Sequence, residues 1–478
     1  METLARAANR GSVSTGPYEI DNSLKFERAN SEQIYTSNAA SGNRKTWTFS
    51  AWIKRTELSQ DYHCIFSCGY SNIQIMANDR PRLILYNGSS EVYADPEMLL
   101  RDTAAWYHIV VQVDSTQSTA SDRVKWWING DRVTDFNNST YTNMSQNEDF
   151  DFGQAGSGSG DWLRLGDFFG GSEGFSGYMA DVYYLNGTAA QASDFGEYDD
   201  DSGIWIPKKY TGSGYGTQGF KYEFKDSSAL GTDTSGEGHN ANNLSNIAAI
   251  DQATDTPTNN FCTINPLVNQ GFSLWSLTEG GTRGANVGAN CAMVGTMAVS
   301  SGKWYWEGVT TSFSGTNYWQ WGVMPIDAKQ GNSADSMGDA GTAWYSGDNA
   351  FYTSTSESGQ SVSYNIGFTG YTAGDIWSIS LNCDVSPYEM TIRINNSVPG
   401  TTANNTNRSV GTYASAEPVY PFSMLANSAS DNTWHNFGNP FISNLSGGNS
   451  DANGYGDFKY APPSGYYALC TKNLAEYG

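Results

Sequence analysis

The sequence predicts an all-β protein made of two antiparallel, jelly-roll-like β-sandwiches joined by an irregular segment rich in glycine and aspartate. Three observations lead to this fold class. Apolar and polar residues alternate with period two along many short segments, as in half-buried strands. The 52 glycines and 14% aromatic residues suit strands joined by polar turns. Charged residues make up only 16% of the chain, too few for a helical or disordered protein of 478 residues.

The charge balance excludes several classes of partner. With 26 basic and 49 acidic side chains, the chain has a formal net charge of −23. We therefore expect it to bind neither nucleic-acid phosphates nor anionic membrane surfaces. No apolar run is long enough to cross a bilayer, so no membrane insertion is expected. The length fits two domains with connecting material.

Residues 1–21 are polar and small, and we expect them to form an N-terminal arm without a core of its own. Arg6 and Arg10 are its expected charged anchors. No apolar core segment accompanies them, so no secretory signal is expected. Six cysteines spread over the chain predict no disulfide framework, and Cys64 and Cys68 are interpreted as buried thiols in preference to zinc ligands.

The first predicted sandwich spans residues 22–192. Its clearest strand is 46–55, and Asn129-Gly130 between two apolar segments is the strongest hairpin signal in the chain. We interpret His108 as structural, because no nucleophile motif accompanies it. The other predicted strands begin at Leu24, Phe26 and Ile34 and continue at 72–76, 82–86, 106–113, 123–128 and 175–185.

The second predicted sandwich spans residues 266–440 and is followed by a C-terminal segment, 441–478. Its first strand alternates so that Trp304 and Trp306 share one face, while Tyr305 and Glu307 share the other. Six tryptophans in predicted strands are expected in the cores: Trp47, Trp52, Trp126, Trp304, Trp306 and Trp377. Further strands are predicted at 318–323, within hairpin reach of the first, and at 374–382 and 390–396.

The junction, residues 193–265, contains clustered carboxylates on glycine-rich turns. Oxygen donors of this kind suit calcium, although the EF-hand spacing is absent. No cofactor is required by any motif. A structural calcium ion and solvated turn carboxylates both stay open, and the latter are favoured. The candidate calcium ligands are Asp199, Asp200, Asp201, Asp226 and Asp233.

A sugar is the natural ligand for this composition, because aromatic faces stack on pyranose rings while polar side chains hold the hydroxyls. Aromatic residues in loop-like sequence are the best candidates, although core packing is the favoured alternative for each. The candidate ligand-binding residues are Asp161, Trp162, Asp167, Phe168 and Phe169 in the first sandwich, and Trp344, Tyr345, Asp348 and Tyr352 in the second.

Two segments resemble known families. The run Trp106-Tyr107-His108-Ile109-Val110, the Asn129-Gly130 hairpin and the closing strand Gly177-Tyr178-Met179-Ala180-Asp181-Val182 resemble a laminin-G or concanavalin-A-like lectin domain over 22–192. The run Gly302-Lys303-Trp304-Tyr305-Trp306-Glu307, followed by Gly374-Asp375, resembles a SPRY domain over 266–440. That family usually has a glycine near Asn396, where this chain has Ser397. The resemblances imply β-sandwiches that bind partners and, for the SPRY domain, no chemistry of its own.

The junction is similar to the linker of marine bacteriophage proteins that place a lectin-like sandwich before a SPRY-like one. The resemblance lies in residues 211–224, 229–236 and 255–263, and in two similar phrases, Phe261-Cys262-Thr263-Ile264-Asn265 and Leu469-Cys470-Thr471-Lys472-Asn473. It implies a virion structural protein, such as a tail fibre, appendage or capsid decoration. Its expected location is the particle surface or tail, attached to other virion proteins through the arm.

We accordingly expect a protein present as a homo-oligomer or in many copies, displaying modules that adhere to host-surface glycans or proteins. The alternative is a cellular SPRY-type protein-interaction protein. A glycan-acting enzyme is disfavoured, because the chain lacks the Glu-x-Asp-x-Glu and Glu-x-Asp-x-x-Glu patterns of retaining glycosidases on the concanavalin-like fold. The chain also lacks a His-Glu-x-x-His motif.

Overall fold

The protein is nearly all β-structure. The only α-helix in the described residues is α1, Thr471–Tyr477, and the other helical pieces there are short 3-10 turns. The same residues contain no helix long and apolar enough to span a membrane. The predicted all-β class is confirmed. The computed structural model describes residues 18–37, 40–58, 62–156, 162–169, 171, 173–212, 214–267, 275–286, 291–312, 318–326, 342–345, 350–356, 359–365, 371–399, 407–410, 415, 417–426 and 432–478.

The described residues form two compact units, one up to Asn259 and one from Asn260 onward. The finer boundaries at residues 192 and 440 stay a prediction. The strands of the first unit are β1 Ser23–Phe26, β2 Gln33–Thr36, β3 Thr46–Arg55, β4 His63–Cys68, β5 Ser71–Ile75, β6 Pro81–Tyr86, β7 Glu91–Pro96, β8 Tyr107–Asp114, β9 Val124–Ile128, β10 Asp131–Arg132, β11 Phe136–Asn138, β12 Leu163–Leu165, β13 Gly177–Asn186, β14 Gly196–Tyr198, β15 Trp205–Pro207, β16 Phe220–Tyr222, β17 Asn243–Ser245 and β18 Gln252–Ala253.

Two antiparallel sheets build the first unit. In the described residues, the first has the order β10-β9-β8-β3-β13-β1-β18, with β16 also pairing with β13. The second has the order β11-β7-β6-β5-β4-β12-β2-β17. The predicted Asn129-Gly130 hairpin is confirmed, because Asp131 pairs with Ile128 across the turn. Inward-facing side chains of both sheets, among them Trp47 and Trp126, form one buried core.

The segment between the predicted sandwiches packs on the first of them. Its strands β16 and β18 extend the first sheet and β17 extends the second. The buried Lys221 ammonium on β16 lies 3.3 Å from the Asp181 carboxylate on β13. This confirms the expectation that the junction packs against a sandwich.

A third layer covers the outer face of the first sheet. The covering segment, residues 187–212, contains a 3-10 turn, Ala192–Asp194, and the hairpin formed by β14 and β15. Its Phe195 and Tyr210 pack on Val110, Trp127 and other outward-facing residues of the sheet. The covering segment therefore buries the outward-facing residues of this sheet. For this reason its strands carry apolar residues on both faces.

The second unit also consists of two antiparallel sheets. In the described residues, their orders are β19-β20-β31-β22-β27-β28-β29, with β32 parallel to β22, and β21-β30-β23-β24-β25-β26. The strands are β19 Trp275–Thr278, β20 Arg283–Asn286, β21 Cys291–Val294, β22 Lys303–Ser312, β23 Tyr318–Pro325, β24 Thr342–Tyr345, β25 Ala350–Ser356, β26 Gly359–Asn365, β27 Ile376–Asn382, β28 Glu389–Ile394, β29 Arg408–Ser409, β30 Val419–Ala426, β31 Asn432–Asn436 and β32 Tyr467–Ala468.

The predicted two-faced strand is confirmed as β22. Trp304 and Trp306 enter the main core of the second unit, whereas Tyr305 joins a smaller cluster and Glu307 is buried on that side. The sequence placed β23 within hairpin reach of β22, but the two described strands do not pair. In the described residues β22 pairs with β27, β31 and β32, and β23 pairs with β24 and β30 in the other sheet. The six tryptophans expected in the cores are all at most 4% exposed.

Candidate functional site

An aromatic cluster on the outer face of the first unit is the candidate site. We define the aromatic cluster as Gln33, Tyr35, Trp162, Arg164 and Phe169. Gln33, Tyr35 and Arg164 lie on two neighbouring antiparallel strands, β2 and β12, where Arg164 is directly opposite Tyr35. Trp162 directly precedes β12, and Phe169 lies in the loop that follows it. Alternation turns Ile34 and the leucines of β12 into the core and leaves the cluster residues of these strands on the outer face.

The rings and the guanidinium of the cluster are in mutual contact. Tyr35 and Trp162 stack with centroids 4.9 Å apart and planes inclined by 14°. The Arg164 guanidinium lies 5.1 Å from the Tyr35 ring centroid, and 5.8 Å from those of Trp162 and Phe169. It also donates to the Gln33 Oε1 at 2.7 Å. These contacts order two half-buried rings before any ligand arrives.

The cluster begins a row of side chains that crosses the outer face of the second sheet. From Arg164 the row continues through Ser67, Asn72, Ile84 and Tyr93, which pair in register on successive strands. Ser67 and Asn72 are 0% and 2% exposed, so the row is buried next to the aromatic cluster, whose rings are partly exposed.

Two buried amide groups, one of them in this row, have unsatisfied acceptors. Asn72 and Gln74 are each 2% exposed, and in the described part of the chain neither Asn72 Oδ1 nor Gln74 Oε1 has a hydrogen-bond partner. A buried acceptor without a donor costs about 1–3 kcal/mol.

The loop after β12 holds the edge of the cluster. The buried Asp167 carboxylate accepts the backbone N–H groups of Phe168, at 2.8 Å, and Glu173, at 3.3 Å, and its backbone oxygen accepts the Ser67 hydroxyl at 3.0 Å. Burial raises the pKa of Asp167, and these N–H donors and Arg164 oppose the rise. Asp167 therefore shapes the loop, and Phe169 at its tip is 36% exposed.

The structure brings together only part of the predicted binding set. Trp162 and Phe169 join the cluster, and Phe168 is half-buried beside it. Asp161 and Asp348 lie outside the described residues, as do the arm residues Arg6 and Arg10. Trp344 and Tyr345 are on β24 and Tyr352 is on β25, where the backbone is described but the side chains are not.

The candidate calcium ligands occupy separate turns. Asp199 caps its own turn by accepting the Ser202 N–H and hydroxyl, and Asp226 accepts the same groups of Ser228. The buried Asp233 carboxylate accepts backbone N–H groups of Lys221, Ser235 and His239. Asp200 is exposed beside Asp201. Within the described residues, no three of these five carboxylates meet within 4.8 Å.

Sequence reasoning missed Tyr35, Gln33 and Arg164. Tyr35 and Gln33 lie in a four-residue strand whose alternation was visible, but the strand that completes the site follows about 130 residues later. Only the pairing of β2 with β12 reveals the contact.

The comparisons with known proteins agree with this description of the first unit. Residues 28–193 match the concanavalin A-like lectin/glucanases superfamily. No curated protein matches the sequence. The match places β2, β12 and the cluster inside a lectin-like sandwich, as the resemblance of 22–192 implied.

Several solved structures are similar to parts of the chain. The SPRY domain of human HERC1 is 14% identical, with 36% of this chain and 96% of that one covered and a TM-score of 0.27. A Bacteroides ovatus protein described as carbohydrate-binding is 16% identical, with 48% and 60% covered and a TM-score of 0.34. Domains LG4–5 of the mouse laminin α1 chain are 9% identical, with 86% and 83% covered and a TM-score of 0.28.

Proposed function

We propose that the first unit is a glycan-binding module and that its aromatic cluster is the binding surface. The observation that carries the proposal is the stacked Tyr35–Trp162 pair, held by Arg164 on the outer face of a lectin-like sandwich. The apolar face of a pyranose ring would lie against the exposed part of these rings. Its hydroxyls would exchange hydrogen bonds with Gln33, which is partly exposed beside the rings.

The module would bind glycans without hydrolysing them. Glycoside hydrolysis needs two carboxyl groups facing one bond, one of them available as an acid. The carboxylate of Asp95 on the same sheet is instead engaged by Arg82, whose Nε and Nη2 donate to it at 3.0 and 2.7 Å. Incubation of the protein with every glycan that it binds should release no new reducing ends.

The test is a glycan-array measurement with matched variants. Trp162→Ala and Tyr35→Ala should each weaken binding about tenfold or more, because truncating an aromatic anchor in an interface commonly costs above 1.4 kcal/mol. Tyr70→Ala is the control, since Tyr70 is 54% exposed and packs on Tyr86 outside the cluster. Equal binding by all three variants would refute the cluster as the site, and an array without any hit would refute the module's function.

We further propose that the protein is a bacteriophage virion component. The resemblance of its linker phrases to marine phage proteins supports this role, with a cellular SPRY-type interaction protein as the alternative. Residues 1–21, with Arg6 and Arg10, would attach it to other virion proteins in multiple copies. Deleting residues 1–17, which spares the hydrogen bond of Tyr18 to the buried Asp181, should leave the circular dichroism unchanged and abolish incorporation into particles, as measured by mass spectrometry of purified virions. A truncated protein that is incorporated normally would contradict the arm.

A structural calcium ion at the aspartate-rich turns of the junction is a separate proposal. Its support is the chemistry of the oxygen donors of Asp199, Asp200, Asp201, Asp226 and Asp233. If an ion binds only the folded state, chelation lowers the melting temperature. Elemental analysis without calcium, together with unchanged melting in chelator, would end this proposal.

A further inference from the structure

A second ligand groove lies on the other side of the first unit, where the covering segment meets the β9–β10 hairpin. We define the indole groove by Trp127, Ser193, Glu197, Tyr198, Trp205 and Lys208, around a cavity of about 390 Å³. Two tryptophans, Trp127 and Trp205, line it together with the charged and hydroxyl groups of the other four residues. Ligand pockets in proteins commonly start at about 300 Å³.

Trp205 is fixed before any ligand binds. Its Nε1–H donates to Nδ1 of the buried His108 at 2.9 Å, so the His108 proton resides on Nε2, which donates to the Ser50 hydroxyl at 2.9 Å. Burial lowers the pKa of His108 to about 3, and the ring therefore stays neutral and keeps accepting from Trp205 at ordinary pH. The half-buried indole is thus a platform of fixed orientation.

Two glycines allow the indole to lie where it does. A Cβ at Gly130 would come within 2.3 Å of Trp205 Cε3, and one at Gly196 within 2.4 Å of Trp205 Cε2. Gly130 also has a φ of +84°, which its hairpin turn requires. Any larger residue at either position would displace the ring from its place in the groove.

The rim offers a donor and an acceptor close together. The Lys208 ammonium is 3.5 Å from the Glu197 carboxylate, and the two side chains are 44% and 41% exposed. Lys208 also donates to the Ser193 backbone oxygen at 3.3 Å. An exposed pair of this kind contributes little to stability, and both groups can turn to a ligand at low cost.

We infer that the indole groove binds a neutral pyranoside. A ligand that fits must have one apolar face for the Trp205 ring and an edge of hydroxyls for Glu197 and Lys208, which is the amphipathic form of a sugar ring. Glu197 at the rim and the acidic chain oppose a phosphate or sulfate ligand. The inference deepens the proposed glycan binding, on which it rests for the ligand class, and adds a second site.

The test is saturation-transfer NMR of the full chain with methyl glycosides of glucose, galactose, mannose and N-acetylglucosamine. Ser193→Tyr fills the groove from an exposed position, and Lys208→Met removes the rim donor. Lys209→Met is the matched control, since Lys209 is exposed next to Lys208 but does not line the groove. Circular dichroism melting shows that each variant is folded. We expect binding to weaken about tenfold or more in Ser193→Tyr and Lys208→Met and to be unchanged in Lys209→Met.

The Trp162→Ala variant separates the two sites. Glycosides that bind the groove should bind this variant as they bind the wild type. If Trp162→Ala removes all binding and Ser193→Tyr removes none, the groove inference is wrong and the proposed function stands. If no glycoside binds the wild-type groove, the inference is wrong. If Ser193→Tyr and Lys208→Met lose binding and Trp162→Ala keeps all of it, the groove is the sugar site and the cluster assignment fails.

Discussion

Replacing Glu307 should remove a pH dependence from the stability of the second unit. The side chain is 0% exposed and accepts hydrogen bonds from the Tyr305 hydroxyl at 2.6 Å, the Lys459 N–H at 2.8 Å and the Tyr460 N–H at 2.9 Å. These donors favour the ionised form. Removal from water outweighs them and raises the pKa of Glu307 to about 7.

The magnitude follows from linkage. The folded unit holds the Glu307 proton more tightly than the unfolded chain, whose pKa is 4.5. The contribution to stability is therefore complete below pH 4.5 and is lost as the pH rises through about 7. At about 1.36 kcal/mol for each unit of pKa, the whole effect is about 3 kcal/mol, of which about 2.5 kcal/mol falls between pH 5 and pH 8.

The assay is urea unfolding of the full chain at pH 5 and pH 8, read from the amide hydrogen exchange of the peptide that contains β22. The loss of stability between these pH values should be about 2.5 kcal/mol smaller in Glu307→Gln than in the wild type. Tyr305→Phe removes one donor to the carboxylate, so the pKa of Glu307 should rise and the loss should move to higher pH. An identical pH dependence in the wild type and Glu307→Gln would refute the reasoning.

Three further changes test the packing and the hydrogen bonds. The Asp255 carboxylate is 1% exposed and lies 2.7 Å from the Lys54 ammonium, so Lys54→Met leaves a buried charge without its cation. Urea unfolding should show a loss of about 3–5 kcal/mol, partly recovered in Lys54→Met/Asp255→Asn. A single variant as stable as the wild type would contradict the importance of this ion pair. Nitrogen-15 NMR should show His108 as the neutral Nε2–H tautomer between pH 5 and pH 8, because burial lowers its pKa to about 3, and a titration near pH 6.5 would contradict the buried acceptor. Gly308→Ala places a Cβ within 2.1 Å of Trp377 Cζ2, so urea unfolding should show about 1–3 kcal/mol of destabilisation, and an unchanged or higher stability would disprove the close packing there.

The positions of the strands could be predicted from the sequence better than their pairing. Alternation correctly placed Tyr305 and Glu307 opposite the tryptophans of β22, because the period of a strand is local. The partners of β22 are not local, since β31 follows more than 100 residues later. Nearness along the chain therefore suggested a hairpin with β23 that the sheets do not contain.

The candidate sites were predictable to a similar degree. Trp162 and Phe169 could be chosen from their loop-like surroundings, but their partner Arg164 required knowledge of which residues β12 turns outward. Trp205 stood in the junction, with nothing in its neighbourhood to indicate His108 as its partner. That contact joins residues 97 positions apart and depends on the covering segment folding back over the sheet.

The most direct test of glycan binding by the first unit is hydrogen exchange of the full chain with and without the tightest glycan found on an array. Binding at the aromatic cluster predicts increased protection in peptides that contain β2, residues 33–36, and β12, residues 163–165, with Trp162→Ala abolishing it. Protection confined to the second unit, with none at β2 and β12, would contradict the central claim.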